Sequence, residues 1–325
     1  MRIGLTYDLR AEYLAAGYSE EETAEFDRVD TVEGLENAIA RLGHEPCRIG
    51  NARQLIGRLA GGDRWDLVFN IAEGLHGTAR ESQVPAILDV YDIPYTFSDP
   101  LVTALSLDKG LCKLAVRQAG VPTADFAVVR QPSDAEGVDL AFPLFVKPIA
   151  EGTGKGISES SRVETREDLR RECQRQIAQF KQPVLVETFL PGEEFTVGVV
   201  GTGVRARVLG VMQVHFTTAV SGIYSYTTKR DYEGLVQYSL RQDDLAARLG
   251  ELSLSAWRVL DCRDGGRIDF RCGADGGPRF LEVNPLPGLN PEHSDLPILG
   301  RLAGVEFDEL IRAIVESAQE RCRET

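Results

Sequence analysis

The sequence predicts an α/β protein whose carboxyl-terminal part becomes α+β. Three observations carry this. Apolar strand-like runs alternate with helix-period segments through the first hundred residues, the pattern of a parallel sheet covered by helices. Strand-like runs dominate from Glu194 onward. Near the end, Arg267-Ile268-Asp269-Phe270 and Phe280-Leu281-Glu282-Val283-Asn284 flank Ala274-Asp275-Gly276-Gly277, a hairpin-turn signal.

Taken in order, Ile3 to Tyr7 predicts a strand, Thr31 to Leu42 a helix stopped by Gly43, Asp66 to Ile71 a buried strand and Ser82 to Val90 a helix. Ligands of parallel sheets sit at the carboxyl ends of the strands, which places Tyr7-Asp8 and Asn70 to Gly74 on a ligand-facing rim. The acidic segment Ser19 to Asp30 reads as a loop or a short helix. A second unit opens near Leu101, with a helix over Asp108 to Ala119. Strands follow at Phe126 to Val129 and Leu144 to Lys147, then the glycine-rich loop Glu151 to Gly156, a helix over Thr165 to Phe180 and a strand over Pro183 to Glu187. Beyond it come strands at Glu194 to Val200 and Arg205 to Val214, then a long loop to Gly234. Helices are predicted over Gln242 to Leu260 and Phe307 to Arg323.

At 325 residues the chain exceeds what one core usually serves, so two or three domains are expected. A net charge of −14 excludes bulk binding to nucleic acid. No apolar run is long enough to span a bilayer, and the amino terminus reads as a strand rather than a signal peptide. Six scattered cysteines read as reduced thiols of a cytoplasmic protein.

Counting outward from Asp275-Gly276 sets Asp269 opposite Glu282 and Arg267 opposite Asn284, with all four side chains on one face. The other face (Ile268, Phe270, Leu281, Val283) is apolar. Facing carboxylates repel, so the pair suits a divalent cation held by hard oxygen ligands, magnesium above all. The plain alternative is a hairpin with a solvated polar face. Lys147 ends an apolar strand before three glycines that let backbone N–H groups approach phosphates, with Thr153 and Lys155 adding a hydroxyl and a charge. The spacing is not that of a Walker loop, and a flexible connector is the alternative. Lys109 opens a helix, where a solvated surface role is the ordinary reading and only its company suggests another. Phe189 and Leu190 could flank an adenine ring and Glu194 accept from ribose hydroxyls. The alternative there is a connector with solvated glutamates.

These pieces resemble, in this order, the ATP-grasp superfamily and within it the D-alanine–D-alanine ligase family. The resemblance rests on Leu107-Asp108-Lys109, Phe145 to Pro148 with Glu151-Gly152-Thr153, Val186-Glu187 with Glu194 to Val197, Gly266 to Asp269, and Leu281 to Asn284 with Pro287-Gly288. Ile93 to Thr96 is similar to the family's link between its first two domains. The resemblance implies three domains, with an N-terminal parallel-sheet substrate domain (1–100), a central unit carrying the glycine-rich loop (101–190) and a C-terminal unit carrying the hairpin (191–325). ATP would be clasped between the last two. It implies Lys109 and Lys147 on phosphates, Glu187 and Leu190 (with Phe189) at adenine, Glu194 at ribose, and Lys229 near the γ-phosphate. Asp269, Glu282 and Asn284 would hold two Mg²⁺ ions (Mn²⁺ being possible). Arg267 and the Gly288 N–H would stabilise an oxyanion, under a lid that includes Thr153. The implied chemistry is ADP-forming ligation of amino acids through an acyl phosphate, by a homodimer.

Departures gather around the amino-acid substrates. Thr153 and Gly154 stand where the family usually has two serines, and Arg230 follows Lys229 where it has tyrosine. Glu25 is the loose counterpart of a glutamate that holds the first substrate's amine, and Glu73-Gly74 stands where the family has histidine before glycine, with His76-Gly77 close by as the other register. After Gly288 come His293, Ser294 and Asp295. Either Ser294 receives the second substrate's carboxylate after a one-residue slip, or the acidic neighbour marks a different acceptor. The alternatives are a relative ligating other amino acids, one closing a ring within a single substrate, and a non-catalytic ATP-binding module.

Overall fold

The computed structural model describes residues 1–216 and 236–324. Its first sheet is parallel. Strand β1 (Arg2–Thr6) is followed by a short helix α1 (Arg10–Ala15) and by α2 (Val29–Arg41). β2 (Glu45–Gly50), α3 (Ala52–Ala60), β3 (Leu67–Asn70) and α4 (Gln83–Val90) complete the unit. β1 lies between β2 and β3. Ile3, Leu5 and Phe69 pack on Leu35 and Ile39 of α2, and on Leu310 and Ile314 from the far end of the chain. Val68 packs on the other side against Leu55, Leu59 and Leu88. A Cβ at Gly4 would stand 2.5 Å from Ile49, so this strand admits no side chain there. β2 escapes the sequence reading because it is an edge strand of mixed polarity, with Glu45 and Arg48 exposed and a proline inside it.

Two helices then run in tandem, α5 (Pro100–Leu107) and α6 (Lys109–Gln118). Asp99 caps the first by accepting from the Val102 N–H, and Asp108 caps the second by accepting from the Leu111 N–H. β4 (Phe126–Val129), β5 (Leu144–Pro148), β6 (Arg162–Val163) and β7 (Val184–Thr188) form a small antiparallel sheet in the order β4-β7-β5-β6. Helix α7 (Arg166–Phe180) backs it through Leu169 and Cys173.

The largest sheet is antiparallel. It contains β8 (Glu194–Val200), β9 (Arg207–Phe216), β10 (Val236–Leu240), β11 (Gly265–Cys272) and β12 (Pro278–Asn284), in the order β10-β9-β8-β11-β12. Helix α8 (Asp244–Val259) and α6 cover one face, with Trp257, Phe195, Phe270 and Phe280 at the centre. Helices α9 (Asp295–Leu302) and α10 (Phe307–Glu324) close the chain. No helix among the described residues is long and apolar enough to cross a membrane.

The β11–β12 hairpin pairs Asp269 with Glu282 and Arg267 with Asn284, as counted. Two offsetting irregularities produce that register. The turn is centred on Asp275 rather than between Asp275 and Gly276, with Gly273 and Gly277 bonded across it and Cys272 opposite Pro278. A one-residue bulge then separates Phe280, opposite Phe270, from Glu282. The apolar face is corrected accordingly: Phe280 and Val283 enter the core, and Leu281 turns with Glu282 toward a cavity.

One buried carboxylate joins the ends of the molecule. Asp264, fully buried, accepts from the Phe97 N–H at 2.8 Å, the Ser317 hydroxyl at 2.9 Å and Arg321 at 2.9 Å. Asp264→Ala strands a guanidinium and a backbone donor together. We expect it to lower unfolding free energy in urea by about 3 kcal/mol. A loss below about 1 kcal/mol, the worth of one ordinary hydrogen bond, would contradict this reading.

Candidate active site between the two later sheets

Two cavities meet under the hairpin. The smaller, about 110 Å³, lies between the small sheet and β12, and its apolar walls are Phe145, Ile157, Phe189, Leu190 and Leu281. The larger, about 380 Å³, opens between the N-terminal unit and residues 284–296. Lys109, Glu151, Gly152 and Glu282 border both. An elongated molecule with an apolar ring at one end and a reacting group at the other would thread this junction.

Cations are gathered at the smaller cavity by strand and helix geometry. Lys147 on β5 and Lys113 on α6 converge on Glu187 of β7, at 2.7 and 3.0 Å. Lys113 is fully buried and also donates to the Phe280 carbonyl at 2.8 Å. Burial raises the Glu187 carboxyl, but the two ammonium groups outweigh it and hold it at about 2. Sequence reasoning missed Lys113. It lies one turn beyond Lys109 on the same helix face, beside buried Cys112, and that spacing was the available signal. Lys109 donates to the Glu151 carbonyl at 2.6 Å and stands 3.4 Å from Glu282. Glu194 pairs with Arg271 at 3.1 Å, directly across the β8–β11 ladder.

The hairpin presents oxygen donors at the junction. Asp269 accepts from the Thr196 hydroxyl at 2.8 Å and from the Asn284 amide at 3.1 Å. Among the described residues no group of three His, Cys, Asp or Glu side chains is gathered for a metal. Two carboxylates and an amide suit magnesium nonetheless, because that ion keeps water and phosphate oxygens in its shell and needs few protein ligands.

The glycine-rich loop is held, not loose. Glu25 accepts from the Gly152 N–H at 2.6 Å and from Lys155 at 2.8 Å, and pairs with Arg80 at 3.0 Å. A Cβ at Gly152 would stand 2.5 Å from the Glu25 carboxylate and press on that contact. Arg80 also donates to the Ala150 carbonyl at 2.8 Å. Burial would raise the Glu25 carboxyl, yet Arg80 and Lys155 hold it at about 2. Lys155 is therefore committed to Glu25 and Glu151 rather than turned toward the small cavity alone. Thr153 is exposed at the mouth of the larger cavity, in a left-handed conformation with φ of 48°.

Glu73, Glu81 and Asp27 line the larger cavity. Burial, then the charges of Glu81 and Glu25, pushes the Glu73 carboxyl well above its usual range. Burial takes Glu81 up to about 7 against the pull of Arg80. Burial, then Asp8 and Asp30, raises Asp27 as well. Arg80, Glu81 and Asp27 carried no motif that a sequence reading could use. At the far wall, a Cβ at Gly288 would stand 2.9 Å from the Ser294 hydroxyl, and that hydroxyl accepts from the Asn290 N–H at 2.9 Å. His293 lines the same wall, with its N–H donated to the Asn290 side chain. Arg267 is engaged by Asp295 and lies 3.7 Å from Asp269. Lys229 and Arg230 lie outside the described residues.

A clasp of two antiparallel sheets with cations and carboxylates facing a shared cavity, preceded by a parallel-sheet unit, defines an ATP-grasp ligase. Residues 115–316 match the family model described as D-ala D-ala ligase C-terminus, more than half of the chain. The D-alanine–D-alanine ligase of Aquifex aeolicus is 32% identical over 287 residues, covering 88% of this chain and 93% of the relative. A protein of Sinorhizobium fredii called uncharacterized protein y4sG is 32% identical over 260 residues, covering 78% and 75%. Among solved structures, the ATP complex of the Bacillus anthracis D-alanine–D-alanine ligase superposes with a TM-score of 0.73 at 22% identity, over 100% of this chain and 99% of that one. The VanG D-Ala:D-Ser ligase of Enterococcus faecalis gives 0.74 at 20% identity, over 98% and 99%. The chain belongs to the D-alanine–D-alanine ligase family, and it is a ligase that forms C–N bonds.

Proposed function

We propose that this ligase spends ATP to activate the carboxylate of one amino acid as an acyl phosphate and joins it to an amine, releasing ADP and phosphate. The observation that carries the reading is the shared border of the two cavities at Lys109, Glu151, Gly152 and Glu282. Adenine would lie between Phe189, Leu190 and Leu281, beside Glu187, with Glu194 and Arg271 toward the ribose. Lys147 and Lys109 would hold the phosphates, joined by Lys229. Asp269 and Glu282, with Asn284, are the residues that would hold magnesium, which when bound supplies positive charge against the phosphate oxygens. In this reading the units 1–100, 101–190 and 191–325 are donor-binding domain, lid-bearing half and hairpin-bearing half of the clasp.

The donor carboxylate oxygen attacks the γ-phosphorus, and the bond to the β-phosphate oxygen breaks. The amine lone pair then attacks the acyl carbon, the carbon–oxygen bond to phosphate breaks, and the nitrogen loses a proton. Arg267 and the Gly288 N–H would stabilise the oxyanion that forms on that carbon. Glu25 is saturated by Arg80, Lys155 and Gly152 and serves to close the loop, with Thr153, over the reacting end. The donor's ammonium group is assigned instead to Glu73 and Glu81, whose raised carboxyls would gain a counter-charge.

Phosphate release should be measured over D- and L-amino acids, singly and in pairs, with hydroxylamine added to trap the acyl phosphate as a hydroxamate. Donor-dependent ADP and hydroxamate are expected. Tight ATP binding with no donor-dependent ADP across the whole set would replace this reading with a non-catalytic nucleotide-binding role. Turnover with a single substrate whose product has the mass of that one molecule less water, rather than of two molecules joined, would point to ring closure.

A further inference from the structure

We propose that Asp295 selects the acceptor amine: it admits partners that are neutral or cationic beside the reacting amine and rejects those carrying a carboxylate there. This rests on the ligase reading and specifies its second substrate. Arg267 projects from β11 into the larger cavity beside Gly288 and Ser294. Among the described residues, its guanidinium is the cation beside Gly288 and Ser294 that an acceptor carboxylate would meet. Asp295, the first residue of α9, engages that guanidinium directly. Asp269 stands 3.7 Å from Arg267 on its other side. The Arg267 and Asp295 side chains are 16% and 19% exposed, so the pair is partly desolvated and weakly screened by water. The Tyr238 hydroxyl lies 3.5 Å from the other Asp295 oxygen.

The charge balance then decides the substrate. Asp295 neutralises the arginine at this wall of the larger cavity, whereas Asp269 borders the smaller one, where it is assigned to magnesium. An incoming carboxylate would have to displace Asp295 from Arg267 or sit against it. Like charges juxtaposed in a partly closed cavity are an effective means of rejection. An amide, a hydroxyl or an ammonium group meets no such barrier. Asp295 also leaves Arg267 oriented but partly neutralised, so the arginine acts on the oxyanion rather than as a carboxylate receptor. Asp295 is thus a specificity-determining residue that works through Arg267.

The test uses the full chain and the donor that yields the most hydroxamate. Three acceptors are compared by kcat/KM: alanine, alaninamide and 1,2-diaminopropane. The wild-type protein should favour the amide and the diamine over alanine by about tenfold or more. Asp295→Asn should raise kcat/KM for alanine about tenfold and lower it for the diamine, mainly through KM. Asp295→Glu, which keeps the charge, should keep the wild-type order. Preference of the wild type for alanine overturns the proposal, and needs no variant to fold. An Asp295→Asn variant that changes all three acceptors by one factor also overturns it, because a residue that merely holds Arg267 would act in that way. Absence of hydroxamate with every donor overturns the ligase reading itself, whereas hydroxamate with a preference for alanine overturns only the role of Asp295.

Discussion

Exchanging Glu282 for glutamine is expected to lower donor-dependent ADP formation about a thousandfold, near 4 kcal/mol of barrier, while leaving the fold in place. Glu282 sits at the junction of the two cavities, opposite Asp269 across the hairpin and 3.4 Å from Lys109. Its side chain is 22% exposed and its neighbour Val283, not Glu282 itself, enters the core. Removing its charge takes away one of two carboxylates that would hold magnesium. It also relieves the repulsion between those carboxylates in the ligand-free protein. The ligand-free melting temperature should therefore hold steady or rise, and the extra stabilisation by magnesium and ATP should vanish. Asp269→Asn should behave alike in turnover but lose some stability, because Asp269 is more deeply buried and accepts from both Thr196 and Asn284. Activity of Glu282→Gln within about tenfold of wild type would mean that the hairpin does not face the transferring phosphate.

Much of this arrangement was legible because it is local. The parallel sheet follows from strand and helix periods, and the hairpin pairs Asp269 with Glu282 within 13 positions of each other along the chain. Even so, the pairing arises from a turn centred on Asp275 and a bulge that offset each other, and alternation alone puts Leu281 on the wrong face. Period-two alternation cannot reveal where a strand inserts one residue. What stayed hidden depends on distant partners. Glu25 meets Gly152 from 127 positions away, and Asp264 meets Phe97 across 167. Helix α5 and strand β10 escaped for a different reason. The first runs into α6 with only Asp108 between them, and the second is a short edge strand of mixed polarity. Lys113 shows the limit of composition: a lysine on a helix defaults to solvent, and only the fold reveals that an acidic strand residue waits for it inside.

Glu187→Gln is expected to destabilise the protein by about 3–5 kcal/mol, more than any other single change described above. Glu187 is the sole carboxylate described between Lys113 and Lys147, and all three side chains are at least nine-tenths buried. Burial already pulls the Lys113 ammonium down, and Glu187 opposes that pull. Glutamine keeps the shape but leaves two ammonium groups facing one another with no carboxylate between them, only the charges of Glu282 and Glu194 still acting on Lys147. Lys113, the more buried, should then shed its proton, and the variant should recover part of its stability as pH rises. The wild type should respond to acid instead. Its Glu187 carboxyl is depressed from about 4.5 to about 2, so the contribution is full above the unfolded value and is lost as pH falls through that interval. Urea unfolding of both proteins at several pH values reads these slopes. A Glu187→Met change would separate charge from packing, and should be worse than glutamine because it also removes the hydrogen-bond acceptor that Lys147 uses at 2.7 Å. Equal stability of wild type and Glu187→Gln at neutral pH would show that the two lysines are not held as a charged pair. In that case the support assigned to Lys147 beneath the phosphates would have to come from elsewhere in the site.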